Sequence, residues 1–117
     1  MSESTYHLFA RGKEFLASGH PHQAVVVLER AVVEEPEKGS IREALARALY
    51  MTGRWTRARA EFAKAVDIDP VNHYAHYGLG LACARTGQRT RAIAHLKLAV
   101  AMEPLAEYRE ALARLTE

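Results

Sequence analysis

Apolar residues recur at every third or fourth position through most of the chain, in stretches that glycine or proline residues separate. This spacing places the apolar side chains of each stretch on one face of an α-helix. The pattern predicts an all-α protein, and no stretch reads as a β-strand. Seven helices are expected, at about residues 5–18, 22–34, 41–52, 55–69, 73–86, 89–102 and 105–116.

The helices belong to an internal repeat with a period of 34 residues. Four columns of three identical residues share that period, and they are Gly19, Gly53 and Gly87; Ala24, Ala58 and Ala92; Ala31, Ala65 and Ala99; and Pro36, Pro70 and Pro104. A period in this range is typical of a solenoid, in which each repeat stacks on its neighbour. Each repeat is predicted to be an antiparallel helix pair with a short turn.

Several residues predict where helices begin and which surface pairs they form. Ser2 or Ser4 can cap the first helix, and Asn72 can cap the fifth. Ser40 and Glu43 match a capping box that starts the third helix near Ile41. Arg57 and Glu61 stand four residues apart and are expected to pair on the exposed side of the fourth helix. Gly12 and Gly80 share a register, which indicates a close approach between helices.

The composition fits one ordinary domain of 117 residues with a net charge of +2. That charge is too small to indicate nucleic-acid binding by itself. The single cysteine excludes an internal disulfide and suits a reducing compartment. We find neither a signal peptide nor an apolar run long enough to cross a membrane, so the expected location is the cytoplasm.

The pattern resembles the tetratricopeptide repeat. Leu79-Gly80 matches the Leu-Gly pair of that family, Phe62 matches its aromatic position, and the alanine and proline columns match its small and terminal positions. The tryptophan usual in the first helix is replaced by Leu8, Arg42 and His76. The resemblance implies a single domain over residues 1–117, with repeats at about 5–38, 39–72 and 73–106 and a capping helix at about 105–116.

The resemblance also implies a right-handed superhelix whose first helices line a concave groove. Such domains are usually non-catalytic and hold peptides or other proteins. The groove face is then expected to carry Tyr6, Phe9, Lys13, Leu16, Glu43, Arg47, Tyr50, Met51, Tyr74, Tyr77, Leu81 and Arg85. The spacing of these residues within the first and third repeats independently places them on one helical face.

The chemistry of this set favours an extended or helical peptide with apolar anchors and an acidic group. Tyrosine and methionine supply adaptable apolar contact, and arginine binds a carboxylate through two hydrogen bonds. The alternative is that the aromatic residues only fill the inner curve of the superhelix. One subclass of the family binds chaperone tails through Lys, Asn and Arg residues. The corresponding positions here hold Phe9, Lys13, Ala44, Tyr74 and Gly78, so that clamp is absent.

Two other kinds of site have weaker support. His73 and His76 are three residues apart on one helix, but no carboxylate or cysteine stands at ligand spacing beside them, which argues against zinc. Cys83 is expected to be a small buried hydrophobe, not a reactive thiol. No arrangement of residues indicates an enzyme, and we expect neither a metal nor a cofactor.

Self-association is the principal alternative to groove binding. Val26 and Val33 should point outward from the second helix, and Ala60, Ala94 and Ala101 take equivalent places later in the chain. We call these five residues the outer stripe, and a homodimer could cover either it or the N-terminal end. Nucleic-acid binding is a third, less favoured interpretation. It would use arginines near the turns, namely Arg54, Arg57, Arg59, Arg85, Arg89 and Arg91.

Overall fold

The computed structural model describes residues 3–117, and these form seven α-helices with no β-strand among them. The helices are α1 (Glu3–Ala17), α2 (Pro21–Glu34), α3 (Gly39–Met51), α4 (Trp55–Ile68), α5 (His73–Arg85), α6 (Arg89–Met102) and α7 (Ala106–Thr116). Helices α1 with α2, α3 with α4, and α5 with α6 form three packed pairs, and each pair also packs on the next. The predicted helices and their repeat are confirmed.

The turn within each pair depends on its glycine. Gly19, Gly53 and Gly87 have φ angles of 79°, 80° and 79°, a left-handed conformation that only glycine adopts without strain. The residue after each glycine donates its backbone N–H to the carbonyl oxygen of the residue five positions earlier. His20, for example, donates to the Phe15 carbonyl at 2.8 Å. This bond satisfies a carbonyl at the helix end and reverses the chain. The glycine column therefore marks three equivalent helix ends.

Small residues bring the two helices of a pair together. The six alanines of the repeated columns are fully buried. At Gly12 an added Cβ would lie 2.4 Å from Leu28 Cδ2, and at Gly80 it would lie 2.7 Å from Leu96 Cγ. Real Cβ atoms do not approach other atoms so closely, so the predicted close contact at both glycines is confirmed.

The helix caps follow the sequence prediction only in part. The Asn72 side chain accepts a hydrogen bond from the Ala75 N–H at 3.0 Å, as expected of a cap. The predicted capping box at Ser40 is wrong, because α3 begins at Gly39. Its N-cap residue is Lys38, whose side chain makes no capping hydrogen bond. Glu43 instead accepts a hydrogen bond from Asn72, 29 residues away. Ser4 lies inside α1, and Ser2 lies outside the described residues.

The expected pair between Arg57 and Glu61 is also wrong. Arg57 reaches across to Glu29 on α2, with Nη1 and Oε1 2.9 Å apart. Glu61 pairs with Arg42 on α3 at 2.9 Å, and both side chains of that pair are largely buried. Neighbouring helices stand close enough in the stack that contacts between helices displace the contact within one helix.

Helix α7 packs on α6 and closes the end of the stack. Tyr108 fixes it, since this side chain is 1% exposed and its ring lies 4.5 Å from the ring of Tyr77 on α5. The Tyr108 hydroxyl is also 2.7 Å from His73 Nδ1. The tail therefore covers the last repeat, which is the role expected of a capping helix.

Candidate binding groove

The first helices of the three repeats and α7 enclose a row of three hollows. The lysine hollow, of about 230 Å³, is lined by Phe9, Lys13, Leu16, Ala17, Ser40, Glu43, Ala44 and Arg47. The tyrosine hollow, of about 460 Å³, is lined by Arg47, Tyr50, Met51, Phe62, Tyr74, Tyr77, Gly78, Leu81 and Glu107. The terminal hollow is lined by Tyr50, Tyr77, Leu81, Ala84, Arg85, Leu96, Ala111, Arg114 and Leu115.

Eleven of the twelve residues predicted for the groove line at least one of these hollows. Arg47 belongs to both the lysine and the tyrosine hollow, so it joins them. Leu16 is only 7% exposed and serves mainly as core. Tyr6 lines none of the three, although its ring is 61% exposed. The row of hollows therefore follows the predicted face from Phe9 to Arg85.

The lysine hollow combines an aromatic floor with two cations. Lys13 Nζ lies 4.6 Å from the centroid of the Phe9 ring, a distance at which the ring attracts the ammonium. Glu43 is the carboxylate of this hollow, and it already accepts a hydrogen bond from Asn72. Lys13 and Arg47 leave the hollow with more positive than negative charge.

The tyrosine hollow exists because one glycine makes room for a phenylalanine. A Cβ at Gly78 would lie 2.3 Å from the Phe62 ring, so glycine alone admits this ring between the helices. Tyr74 and Tyr77, three residues apart on α5, place their rings 6.1 Å apart along the wall. The result is an apolar floor with two phenolic hydroxyls at its rim.

Burial raises the pKa of both Tyr74 and Tyr77, because a phenolate is poorly solvated there. For Tyr77 the nearby carboxylate of Glu107 adds to the rise in pKa. Both hydroxyls therefore stay protonated at neutral pH and can donate hydrogen bonds to a ligand. Glu107 and Arg47 supply opposite charges to the same hollow.

Arg85 is held in place by contacts within the protein. Its Nε donates to the Tyr50 hydroxyl at 3.2 Å, and its guanidinium lies 4.8 Å from the centroid of the Trp55 ring. This contact with Trp55 was not predicted from the sequence. A positioned guanidinium loses less conformational freedom on binding a carboxylate than a mobile one does.

Sequence reasoning missed the part of the groove that α7 supplies. The omitted residues include Glu107, Ala111, Arg114 and Leu115 of α7, together with Phe62 and Leu96 from the second helices. A signal was available, since Ala111 and Leu115 stand one period after Tyr77 and Leu81. Helix α7 therefore takes the place of the first helix of a fourth repeat.

The histidines and the cysteine are arranged for packing. His73 and His76 contact different partners, Tyr108 and His95. Within residues 3–117, no group of three or more His, Cys, Asp or Glu side chains could hold a metal ion. Cys83 is fully buried, and burial raises the pKa of its thiol. In the same part of the chain, no helix is both long and apolar enough to span a membrane.

Most of the arginines proposed for nucleic acid are engaged within the protein. Arg57 pairs with Glu29, and Arg59 donates to the Thr86 hydroxyl at 2.8 Å. Arg91 donates to Gln88 at 3.0 Å, and Arg89 contacts the Leu115 carbonyl. These contacts explain the positions of the side chains without a nucleic acid.

The outer stripe is exposed along its whole length. Val26 is 62% and Val33 is 82% exposed, which confirms that both point away from the core. The three alanines of the stripe are exposed as well. This convex surface faces away from the groove, and its apolar side chains have no cover within the described chain.

Two family models of the tetratricopeptide repeat match the sequence, one over residues 9–73 and the other over residues 53–115. No curated protein sequence matches the chain. Among solved structures, the first repeat domain of Spaghetti (RPAP3), bound to an HSP90 peptide, superposes with a TM-score of 0.93 at 16% identity. That match covers 99% of this chain and 93% of the other.

Two further solved domains show the same fold. The TPR domain of OM64 from Arabidopsis matches with a TM-score of 0.93 and 21% identity, covering 97% of this chain and 94% of that one. The TPR2B domain of yeast Sti1, in a complex with an Hsp70 peptide, has a TM-score of 0.89 and 19% identity. It covers 98% of both chains.

Proposed function

This chain belongs to the tetratricopeptide repeat family, and from that premise we propose that it is a non-catalytic module that binds a peptide or partner protein in its groove. Two solved domains of the same fold hold peptides of HSP90 and Hsp70, which supports this proposal. The buried thiol of Cys83 suits the cytoplasmic location expected from the sequence.

The tyrosine hollow is the observation that carries the proposal. It is open, its floor is apolar, and its rim offers two protonated hydroxyls and one guanidinium. Aromatic residues together with arginine are the side chains enriched at protein interfaces. We propose that an apolar side chain of the ligand occupies this hollow and that a neighbouring backbone carbonyl accepts from Tyr74 or Tyr77.

The lysine hollow supports the acidic group of the proposed ligand. Lys13 and Arg47 are both exposed and stand on adjacent repeats, so a carboxylate between them would meet two cations. The ligand differs from a chaperone tail, because of the clamp positions only Lys13 is basic. We therefore propose an apolar side chain followed at a short distance by an aspartate or glutamate.

The test is selection of a random peptide library, displayed on phage, against the immobilised protein. Enriched peptides should carry an apolar residue near an acidic one, and Tyr77→Ala should weaken their binding at least about tenfold. Arg54→Ala is a matched control, since Arg54 is exposed and lines none of the three hollows. Peptides that bind Tyr77→Ala and wild type equally would place the site elsewhere.

The exposed outer stripe favours a second candidate function, self-association. A homodimer would cover Val26 and Val33, the most exposed valines of α2. Light scattering after size exclusion, over a series of concentrations, gives the solution mass. A mass of 13.0 kDa is that of a single chain, so it would argue against self-association and retain the groove hypothesis. A dimer that Val26→Ser/Val33→Ser returns to monomer would assign the stripe to self-association.

A further inference from the structure

Two histidines meet across α5 and α6 in the third repeat, beside the packing of Gly80 against Leu96. His76 Nδ1 and His95 Nδ1 lie 3.1 Å apart. The ring planes are 25° from parallel and the centroids are 5.3 Å apart, so the rings meet edge to edge. His76 is 5% exposed, and its Nε2 lies 2.8 Å from the carbonyl oxygen of Pro70. Both ring nitrogens of His76 are therefore engaged.

These contacts determine where the protons sit in the neutral pair. A carbonyl oxygen only accepts, so Nε2 of His76 must carry the proton that it donates to Pro70. Neutral His76 then has a bare Nδ1, which accepts from His95, and His95 must carry its proton on Nδ1. Isolated histidines have no such constraint. The pair thus has one arrangement of protons that satisfies both bonds.

Equivalent positions in the other repeats hold pairs of different chemistry. In the second repeat Arg42 pairs with Glu61 at 2.9 Å, and Arg42 Nε also donates to the carbonyl of Pro36. In the first repeat the two positions are Leu8 and Val27, and both are buried. Neither of those pairs contains a histidine. The third repeat alone places titratable imidazoles at this junction.

The charges that act on His95 oppose its protonation. Burial lowers the pKa of His95, and the charges of His76 and Arg91 lower that pKa further. Both are positive when protonated. Arg91 stands one turn before His95 on α6, while His76 faces His95 from α5. An imidazolium at this junction would therefore meet other cations.

Charged side chains of the adjoining elements face other parts of the molecule. These include Glu61, Lys64 and Asp67 of α4 and Glu107 of α7. Glu61 pairs with Arg42, and Lys64 and Asp67 line a cleft beside that same arginine. Glu107 lies at the tyrosine hollow. The loop before α5 presents the Pro70 carbonyl, so the His76 ring contacts one imidazole and one carbonyl oxygen.

We propose that His76 and His95 form an acid-sensitive latch that holds α5 against α6 in the third repeat. A first proton leaves one proton between the two Nδ1 atoms, so the bond between the rings stays intact. A second proton gives each Nδ1 its own proton, so the bond loses its acceptor. The doubly protonated pair then has two donors facing each other at 3.1 Å, and the helices separate. The proposal needs no ligand and is independent of the groove function.

The direction of the effect follows from proton linkage. The pKa of His95 is lower in the folded protein than in the unfolded chain, so the unfolded chain binds protons more readily. The contribution of the pair to stability is full above the ordinary histidine pKa of about 6.5 and is lost as the pH falls through the folded value.

The repeats themselves supply matched variants for the test. His76→Leu/His95→Val copies the first repeat, and His76→Arg/His95→Glu copies the second. Both retain the other four histidines of the chain. Between about pH 8 and pH 5, we expect the thermal midpoint of the wild type to fall about 5 °C further than that of either variant. An equal fall in wild type and a folded variant would overturn the proposal.

Nitrogen NMR of the wild-type histidine rings provides a test that needs no variant. At neutral pH, His95 should carry its proton on Nδ1 and His76 on Nε2, and the pair should titrate in two separate steps. The second step should coincide with loss of the amide signals of α5 and α6. Rings that titrate independently of each other, with neutral His95 protonated on Nε2, would contradict the latch even if the variants fail to fold.

Discussion

Gly12 and Gly80 occupy helix interiors, where alanine is ordinarily preferred. Each is opposed by a leucine of the second helix, Leu28 or Leu96. The second repeat has Ala46 at the equivalent position, and its large residue, Phe62, is accommodated by Gly78 instead. In all three repeats a large side chain of the second helix therefore packs against a small residue, but the pair of residues differs from one repeat to the next.

We predict that Gly80→Ala destabilises the protein by about 1–3 kcal/mol, against the direction of helix propensity. The added Cβ would lie 2.7 Å from Leu96 Cγ and 3.2 Å from the Ala92 carbonyl, and the backbone cannot move aside readily. Urea denaturation gives the free energy of unfolding. Gly87→Ala is unsuitable as a control because of its positive φ.

Gly12→Ala is the better comparison, because the three atoms nearest its added Cβ all belong to the Leu28 side chain, whereas at Gly80 one of them is the Ala92 carbonyl oxygen. We expect a smaller loss there than at Gly80. A gain in stability at Gly80 would show that the helices can move apart at no cost.

Tyr108 makes the protein sensitive to high pH. Burial and the nearby Glu107 raise the pKa of Tyr108 to about 12, so the folded protein releases this proton less readily than the unfolded chain. The contribution of Tyr108 to the free energy of unfolding is therefore complete below the ordinary tyrosine pKa of about 10, and it falls as the pH rises above that value. By about pH 11 we expect a loss of about 1 kcal/mol. Tyr108→Phe should show a shallower loss over the same range in urea titrations.

At the scale of the element, α7 has two roles. It covers α6 at the end of the stack, and it places Glu107, Ala111 and Arg114 along the groove. Its docking depends on Tyr108, which stacks on Tyr77 and bonds to His73. The same side chain that attaches α7 therefore also supports the wall of the tyrosine hollow.

Tyr108→Ala should cost about 3–5 kcal/mol, because it removes a fully buried aromatic ring. Tyr108→Phe keeps the ring and loses only the bond to His73, so we expect about 1 kcal/mol. Urea denaturation separates the two values. Equal losses for both variants would mean that the hydroxyl, not the ring, attaches the helix.

At the scale of the molecule, the chain is a linear stack with extents of 45 × 25 × 22 Å. Helix α3 lies near its centre and contacts α1, α2, α4 and α5, whereas α7 contacts chiefly α6. In such arrays stability is a sum of repeat and neighbour contributions, so the ends open before the middle.

We predict that native-state hydrogen exchange is slowest for the buried amides of α3, including those of Ala46, Ala48 and Leu49, and fastest in α1 and α7. The expected ratio of exchange rates is at least about tenfold. Equal protection along the whole chain would instead show that the stack unfolds as one cooperative unit.

The sequence by itself determined the repeat and the seven helices, and its family resemblance indicated which helix face lines the three hollows. The repeat and the helices depend on local spacing, because the glycine and proline columns stop helices and apolar residues three or four apart define a face. Tertiary structure alone decided the partners of the polar side chains. Glu43 meets Asn72, Arg57 meets Glu29 and His76 meets His95, all across helices. Such contacts depend on the distance between helices in the stack, which no local pattern encodes.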